Sequence, residues 1–140
     1  MSSYIVDASV AAKWFLQEDH TEEALRLLAD SHELRAPDLL WLEVHSVVCR
    51  RIRRKQLPQR RVFPILWGLR RLPIQIFPST DLLDLATVLT LDTATNLYDC
   101  IYLALAVLQD ACVVTADLRF YHSLRLGPLA GRVLWVGDLR

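Results

Sequence analysis

No stretch of this chain stays apolar for the roughly 20 residues needed to cross a bilayer. No basic segment followed by a hydrophobic stretch and a cleavage site opens it either, so a soluble cytoplasmic protein with no membrane partner is expected. Cysteine is scarce. Cys49, Cys100 and Cys112 form no CxxC pair and are odd in number, which argues against a disulfide framework and suits packing residues in a reducing compartment. The histidines, His20, His32, His45 and His122, lack the spacing of HExxH or of a structural zinc site. The 4 glycines and 6 prolines are scattered, and neither a repeat nor a low-complexity tract is visible, which excludes a linker or a disordered tail. Net charge is also missing: 16 basic side chains balance 16 acidic ones, so global electrostatics does not announce a nucleic-acid binder.

What is present is apolar mass and a local imbalance of charge. At 53% hydrophobic residues over 140 positions, the chain is long enough for one proper core and too short for two ordinary domains, so residues 1–140 are read as a single unit. Nine basic residues lie between Arg50 and Arg71, an interval with no acid. Arg50, Arg53 and Arg54 at its start are candidates for contacting RNA phosphate or an acidic partner, because the planar arginine fork suits phosphate and carboxylate alike. The structural alternative is a solvated face of an arginine-rich helical pair.

Periodicity predicts a strand over Tyr4–Val6 leading through Asp7 into a helix from Ala8 to Leu16, then a second helix to about Ala29 with Glu22 and Glu23 in its first turn. A short strand is expected at Leu34–Ala36. From Asp38 an amphipathic helix carries Leu40, Val44, Val47, Val48 and Ile52 and should end at Pro58; a basic helix over Gln59 to Leu72, broken near Pro64, would pair with it. Ile74–Phe77 is a strand candidate, Ser79, Thr80 and Asp81 offer caps for a helix to about Thr93, and Leu97 to Gln109 reads as a strongly apolar helix. Cys112–Thr115 and Arg132–Val136 complete the strands. Short hydrophobic strands alternating with helices predict an α/β fold, a parallel sheet with helices on both faces and its ligand at the carboxyl edge of the strands.

Four carboxylates are candidates for that edge. Asp7 follows the first strand directly, and Asp117 follows Cys112–Thr115 by two residues; each could also be an ordinary helix cap. Glu43 sits beside Leu40, Val44 and Val47, and Asp99 shares a face with Tyr102, Leu103 and Ala106. Taking such charges out of water costs several kcal/mol unless a cation or full hydrogen bonding compensates. An arginine from elsewhere could neutralise one acid but accounts poorly for four that converge, since like charges raise one another's pKa. A hard divalent cation, Mg²⁺ or Mn²⁺, prefers oxygen donors and resolves the conflict. It can also activate water against a phosphodiester, so no side-chain nucleophile is needed. Ser9 and Thr115 could hydrogen-bond the acids or contact substrate, or serve as cap hydroxyls; Asn96, three residues before Asp99, could assist it.

The segments Ile5-Val6-Asp7-Ala8-Ser9, Trp41-Leu42-Glu43-Val44, Tyr98-Asp99-Cys100-Ile101-Tyr102-Leu103-Ala104-Leu105-Ala106 and Val114-Thr115-Ala116-Asp117 stand in the order and spacing of PIN-domain motifs, and the chain resembles VapC-type toxins of toxin-antitoxin pairs. That resemblance covers essentially the whole chain. It implies a three-layer α/β/α fold with a short-stranded, mostly parallel sheet, endoribonuclease activity dependent on Mg²⁺ or Mn²⁺, a homodimer, and a small antitoxin partner. Carried over, the catalytic and metal positions fall on Asp7, Glu43, Asp99 and Asp117, with Asp7 and Asp99 as direct ligands and with Ser9 and Thr115 at the hydroxyl positions that accompany the first and last acids. The arginine-rich pair falls where such toxins meet antitoxin and RNA. Cys100 departs from the alanine usual after the aspartate but keeps a small buried residue.

Two other classes fit the sequence less well. An aspartyl-phosphate enzyme would need a second aspartate where Ser9 stands, or an acidic pair and a late lysine, and no lysine follows Lys55. A PIN-like module that binds RNA or protein without catalysis would keep the arginines but has no use for all four acids.

Overall fold

The computed structural model describes residues 2–29 and 31–140. Five short strands, β1 (Ser2–Val6), β2 (His32–Pro37), β3 (Ile74–Phe77), β4 (Cys112–Thr115) and β5 (Val133–Trp135), form one sheet in the order β3-β2-β1-β4-β5. Every pairing is parallel, so the sheet expected to be mostly parallel is wholly so. Between the strands run α1 (Ala8–Ala11), α2 (Thr21–Arg26), α3 (Leu39–Arg53), α4 (Val62–Arg70), α5 (Leu83–Asp92) and α6 (Leu97–Leu108), with α7 (Leu118–Leu124) between β4 and β5.

Strand alternation sorts the core into two layers. Val6, Leu34, Ala36 and Val114 face α1 to α4 and pack with Leu40, Val44, Val48 and Leu69. Ile5 and Val113 face the other way, into a layer built around α6, whose residues Cys100 through Ala106 are all buried. This is the three-layer α/β/α arrangement. The path of the chain matters for function: from β1 it moves outward through β2 to β3, then returns to place β4 on the other flank of β1. Helices therefore diverge to opposite faces at the carboxyl ends of β1 and β4, which opens a crevice where such sheets bind ligands.

Several local expectations are corrected. The helix expected to reach Leu16 is a single α turn, Ala8–Ala11, continued by a 3-10 turn over Ala12–Trp14. Helix α3 ends at Arg53 rather than at Pro58. The amide of Gln56 reaches the Arg51 carbonyl (2.9 Å) and that of Lys55 the Ile52 carbonyl (2.9 Å), while Lys55 turns left-handed at φ 57°. These two bonds close the helix by the Schellman pattern before the chain reaches the proline, and Leu57 then anchors the exit in the core. Pro64 does not break α4 because it occupies the third helical position, where an amide hydrogen has no intrahelical partner to lose. Ser79 caps a helix other than the one it precedes: its hydroxyl accepts from the Leu39 amide (3.1 Å) at the start of α3 and donates to Asp38 (2.5 Å). The last strand is shorter than expected, and Cys49 is exposed rather than packed.

Lysine at a left-handed position is strained by its Cβ, and glycine there is not. Lys55→Gly should therefore raise stability by about 0.5–1 kcal/mol, visible as an increased midpoint in denaturant unfolding.

Candidate functional site

Asp7, Glu43, Asp99 and Asp117 line one cleft of about 290 Å³ at the crevice between the carboxyl ends of β1 and β4, together with Ser9 and Arg50. Four separate pieces of chain deliver the acids. Asp7 stands at the junction of β1 and α1, Asp117 at that of β4 and α7, Glu43 on the second turn of α3 and Asp99 in the first turn of α6. Cap and site readings turn out to be compatible. Asp7 caps α1 by accepting from the Val10 amide (3.1 Å), and Asp117 caps α7 by accepting from Arg119 (2.9 Å) and Phe120 (3.4 Å) through one oxygen, Oδ1. Local helix chemistry thus aims both carboxylates into the crevice.

Asp7 is the buried member, 5% exposed. Its Oδ1 accepts from Ser9 Oγ (2.6 Å) as well as from Val10, and its Oδ2 accepts from Thr115 Oγ1 (2.5 Å). Thr115 and Ser9 are themselves tied to the β4–α7 turn: the Asp117 amide donates to Thr115 Oγ1 (3.0 Å) and the Ala116 amide to Ser9 Oγ (2.9 Å). The two hydroxyls therefore fix Asp7 against Asp117. Asn96 caps α6, accepting from the Asp99 amide (2.9 Å) and donating Nδ2 to Asp99 Oδ2 (2.9 Å), a reciprocal pair that sets the carboxylate's direction.

Burial and mutual repulsion work against ionisation here. Asp7 is pushed up to about 6 from 3.8, chiefly by desolvation and against the pull of its hydrogen bonds to Ser9, Thr115 and Val10. Asp99 rises to about 7, first through desolvation and then through the charges of Asp7 and Asp117. Glu43 is raised by burial, partly offset by Tyr102. No ion pair to any of the four acids is present among the described residues; Arg50 lines the cleft without pairing with them, and Lys13 and Arg51 are both spent on Glu18. Neutralisation of an acid by arginine is thus not seen among the described residues.

Among the described residues no group of three or more His, Cys, Asp or Glu side chains stands positioned to hold an ion. The donor set nonetheless fits Mg²⁺ or Mn²⁺. It is made of hard carboxylate oxygens around an open cleft, none of them ion-paired among the described residues, and Mg²⁺ is usually held by one or two carboxylates with water completing its shell.

Of the three arginines singled out, only Arg50 reaches the cleft. Arg53 lines a separate groove with Ile52 and Phe63, and exposed Arg54 is the C-cap of α3. Ser46 and Tyr102 also line the cleft and were not singled out as site residues. Ser46 lies one turn beyond Glu43, so helical spacing could have found it. Tyr102 reads in the sequence as a core neighbour of Asp99; its fully buried hydroxyl, beside Glu43, makes no well-formed hydrogen bond.

A parallel α/β/α sandwich with an acidic cleft at its topological switch point defines the class. The PIN domain family model matches residues 4–123, and the chain belongs to that family. No curated protein matches it. Among solved structures, a toxin-antitoxin complex from Klebsiella pneumoniae is similar over 94% of this chain and 95% of that one at 16% identity, with a TM-score of 0.67. The VapC20 toxin of Mycobacterium tuberculosis, which cleaves the sarcin-ricin loop, is similar over 84% and 92% at 15% identity and a TM-score of 0.65. FitAcB from Neisseria gonorrhoeae is similar over 97% and 99% at 15% identity and a TM-score of 0.55. At these identities the likeness is one of fold.

Raised carboxyl pKa values mean that the metal-free folded protein binds more protons than the unfolded chain from about pH 4 to about pH 7, so its stability falls as pH rises through that window. In EDTA the unfolding temperature should therefore drop between pH 5 and pH 8. Asp99→Asn should shrink that drop and raise the midpoint at pH 8; an unchanged pH profile would show that Asp99 carries no such strain.

Proposed function

We propose that this chain is a divalent-metal-dependent endoribonuclease that acts as the toxin of a toxin-antitoxin pair. The observation that carries the reading is the convergence of four carboxylates without a cation partner at the switch point of a PIN fold. Asp7 and Asp99 would hold Mg²⁺ or Mn²⁺, with Glu43 and Asp117 completing the set. A bound divalent ion activates water against a phosphodiester and offsets charge on the leaving oxygen. The chain's own residues then have defined tasks. Ser9 and Thr115 hold Asp7 and Asp117 in one register, Asn96 orients Asp99, and Arg50 meets the phosphate at the rim of an otherwise negative cleft.

RNA is the substrate, a reading supported by likeness to a toxin that cleaves the sarcin-ricin loop, and a small antitoxin the partner, supported by likeness to a toxin-antitoxin complex; Arg53 and Arg54, away from the acids, suit the partner rather than the reacting phosphate. The chain works as a homodimer in the cytoplasm. No helix among the described residues is long and apolar enough to cross a membrane. A second reading, a PIN-like module that binds RNA or protein without cleaving, is favoured by one observation: no three acids stand close enough to hold an ion as the side chains lie.

A mixed RNA pool incubated with EDTA, Mg²⁺ or Mn²⁺ separates the two. Cleavage should require the metal and fall at least about a hundredfold in Asp99→Asn, more than loss of a supporting residue usually costs. Millimolar Mn²⁺ should also stabilise the wild type by on the order of 1 kcal/mol and Asp99→Asn by much less. Absence of both effects would leave the binding module.

A further inference from the structure

A second cavity, of about 240 Å³, adjoins the acidic cleft and shares Asp99 with it. Its other polar lining comes from Thr95 and Asn96 before α6 and from Arg119 and Ser123 on α7. Arg119 and Ser123 are four residues apart, so they stand on the same side of α7. The exposed Arg119 guanidinium has neither an ion pair nor a hydrogen bond among the described residues.

The hydroxyls of this cavity are not equivalent to Arg119, and their bonding states what they can take. Ser123 Oγ donates to the Phe120 carbonyl (2.7 Å), so in its 2.6 Å contact with Thr95 it must accept. Both hydroxyl protons are thereby committed inside the protein. What Ser123 still offers the cavity is an acceptor lone pair, which suits an incoming O–H and not a phosphate oxygen. Thr95, only 4% exposed, holds that arrangement from beneath. A cation for phosphate and an acceptor for a hydroxyl, side by side, match one nucleotide unit of RNA: phosphate on Arg119, ribose 2′-OH on Ser123. The 2′-OH is the group by which a protein distinguishes RNA from DNA.

Resting on the nuclease reading, we propose that this cavity is a ribose-reading subsite for the nucleotide next to the scissile phosphate. The RNA strand passes from Arg50 on one side of the acids, across Asp99, to Arg119 and Ser123 on the other. Ser123 gives preference for RNA over DNA, and Arg119 gives affinity without regard to the sugar.

The test measures binding of a fluorescent 12-nucleotide single strand, made as RNA and as DNA, in Mg²⁺ and on an Asp7→Asn background so that turnover does not intrude. Adding Ser123→Ala should weaken RNA about three- to tenfold, the worth of one hydrogen bond, and leave DNA unchanged. Ser123→Thr, which restores the hydroxyl, should restore the preference. Arg119→Gln should weaken RNA and DNA alike and flatten the salt dependence by about 0.7 in log-log slope, one phosphate contact. An RNA-to-DNA ratio unmoved by Ser123→Ala, or equal losses for both strands, overturns the ribose subsite while leaving the nuclease reading intact. Failure of every form to bind RNA overturns both.

Discussion

The constraint on which this structure turns is the placement of Asp7. It follows the central strand, is almost wholly buried, and shares its cleft with three further acids without an ion-pair partner among the described residues. Proteins do not keep such a group for stability, because a buried carboxylate without compensation costs more than its hydrogen bonds return. Three donors, Ser9, Val10 and Thr115, reduce that cost without removing it, and the proton affinity stays raised. Hydrophobic layers on both sides of a parallel sheet supply the surplus that lets the cleft remain strained.

The same bonds serve architecture and chemistry. A helix cap is ordinarily a way of ending backbone donors, and at Asp7, Asn96 and Asp117 it is also the device that aims carboxylates into one crevice. Thr115 and Ser9 extend this by crossing between the two central strands. Few side chains therefore act alone here, and exchanging one for a shorter isostere disturbs both a helix start and a neighbouring acid.

Much of this could be read from the chain. The strands Ile74–Phe77 and Cys112–Thr115 were plain because short apolar runs sat between turn residues, and the four acids stood out because charge on an apolar face is rare. Other features were hidden because they depend on tertiary geometry. Helix α3 ended at a left-handed Lys55 that no pattern of residue types announces, while Pro58 offered an obvious but later stop. Ser79 looked like a cap for the helix it precedes and served α3, to which β3 and β2 bring it. Tyr102 hid among core residues, since nothing in its own segment says that Glu43 lies opposite. The arginines misled in part: composition grouped Arg50, Arg53 and Arg54, but position along α3 divides them between the cleft, a separate groove and the helix end.

One bond carries a consequence for how the molecule comes into being. Asp7 and Thr115 touch across 108 residues of sequence, on neighbouring strands that pair only after β2, β3 and α6 have been made. Closing so long a loop is slow relative to local helix formation. During synthesis the amino-terminal half can collapse around α3 while Asp7 and Glu43 lack Asp99 and Asp117, so the cleft stays incomplete until β4 emerges and inserts. The order of strands thus makes the cleft one of the last features the fold can complete, because two of its four walls wait on α6 and β4.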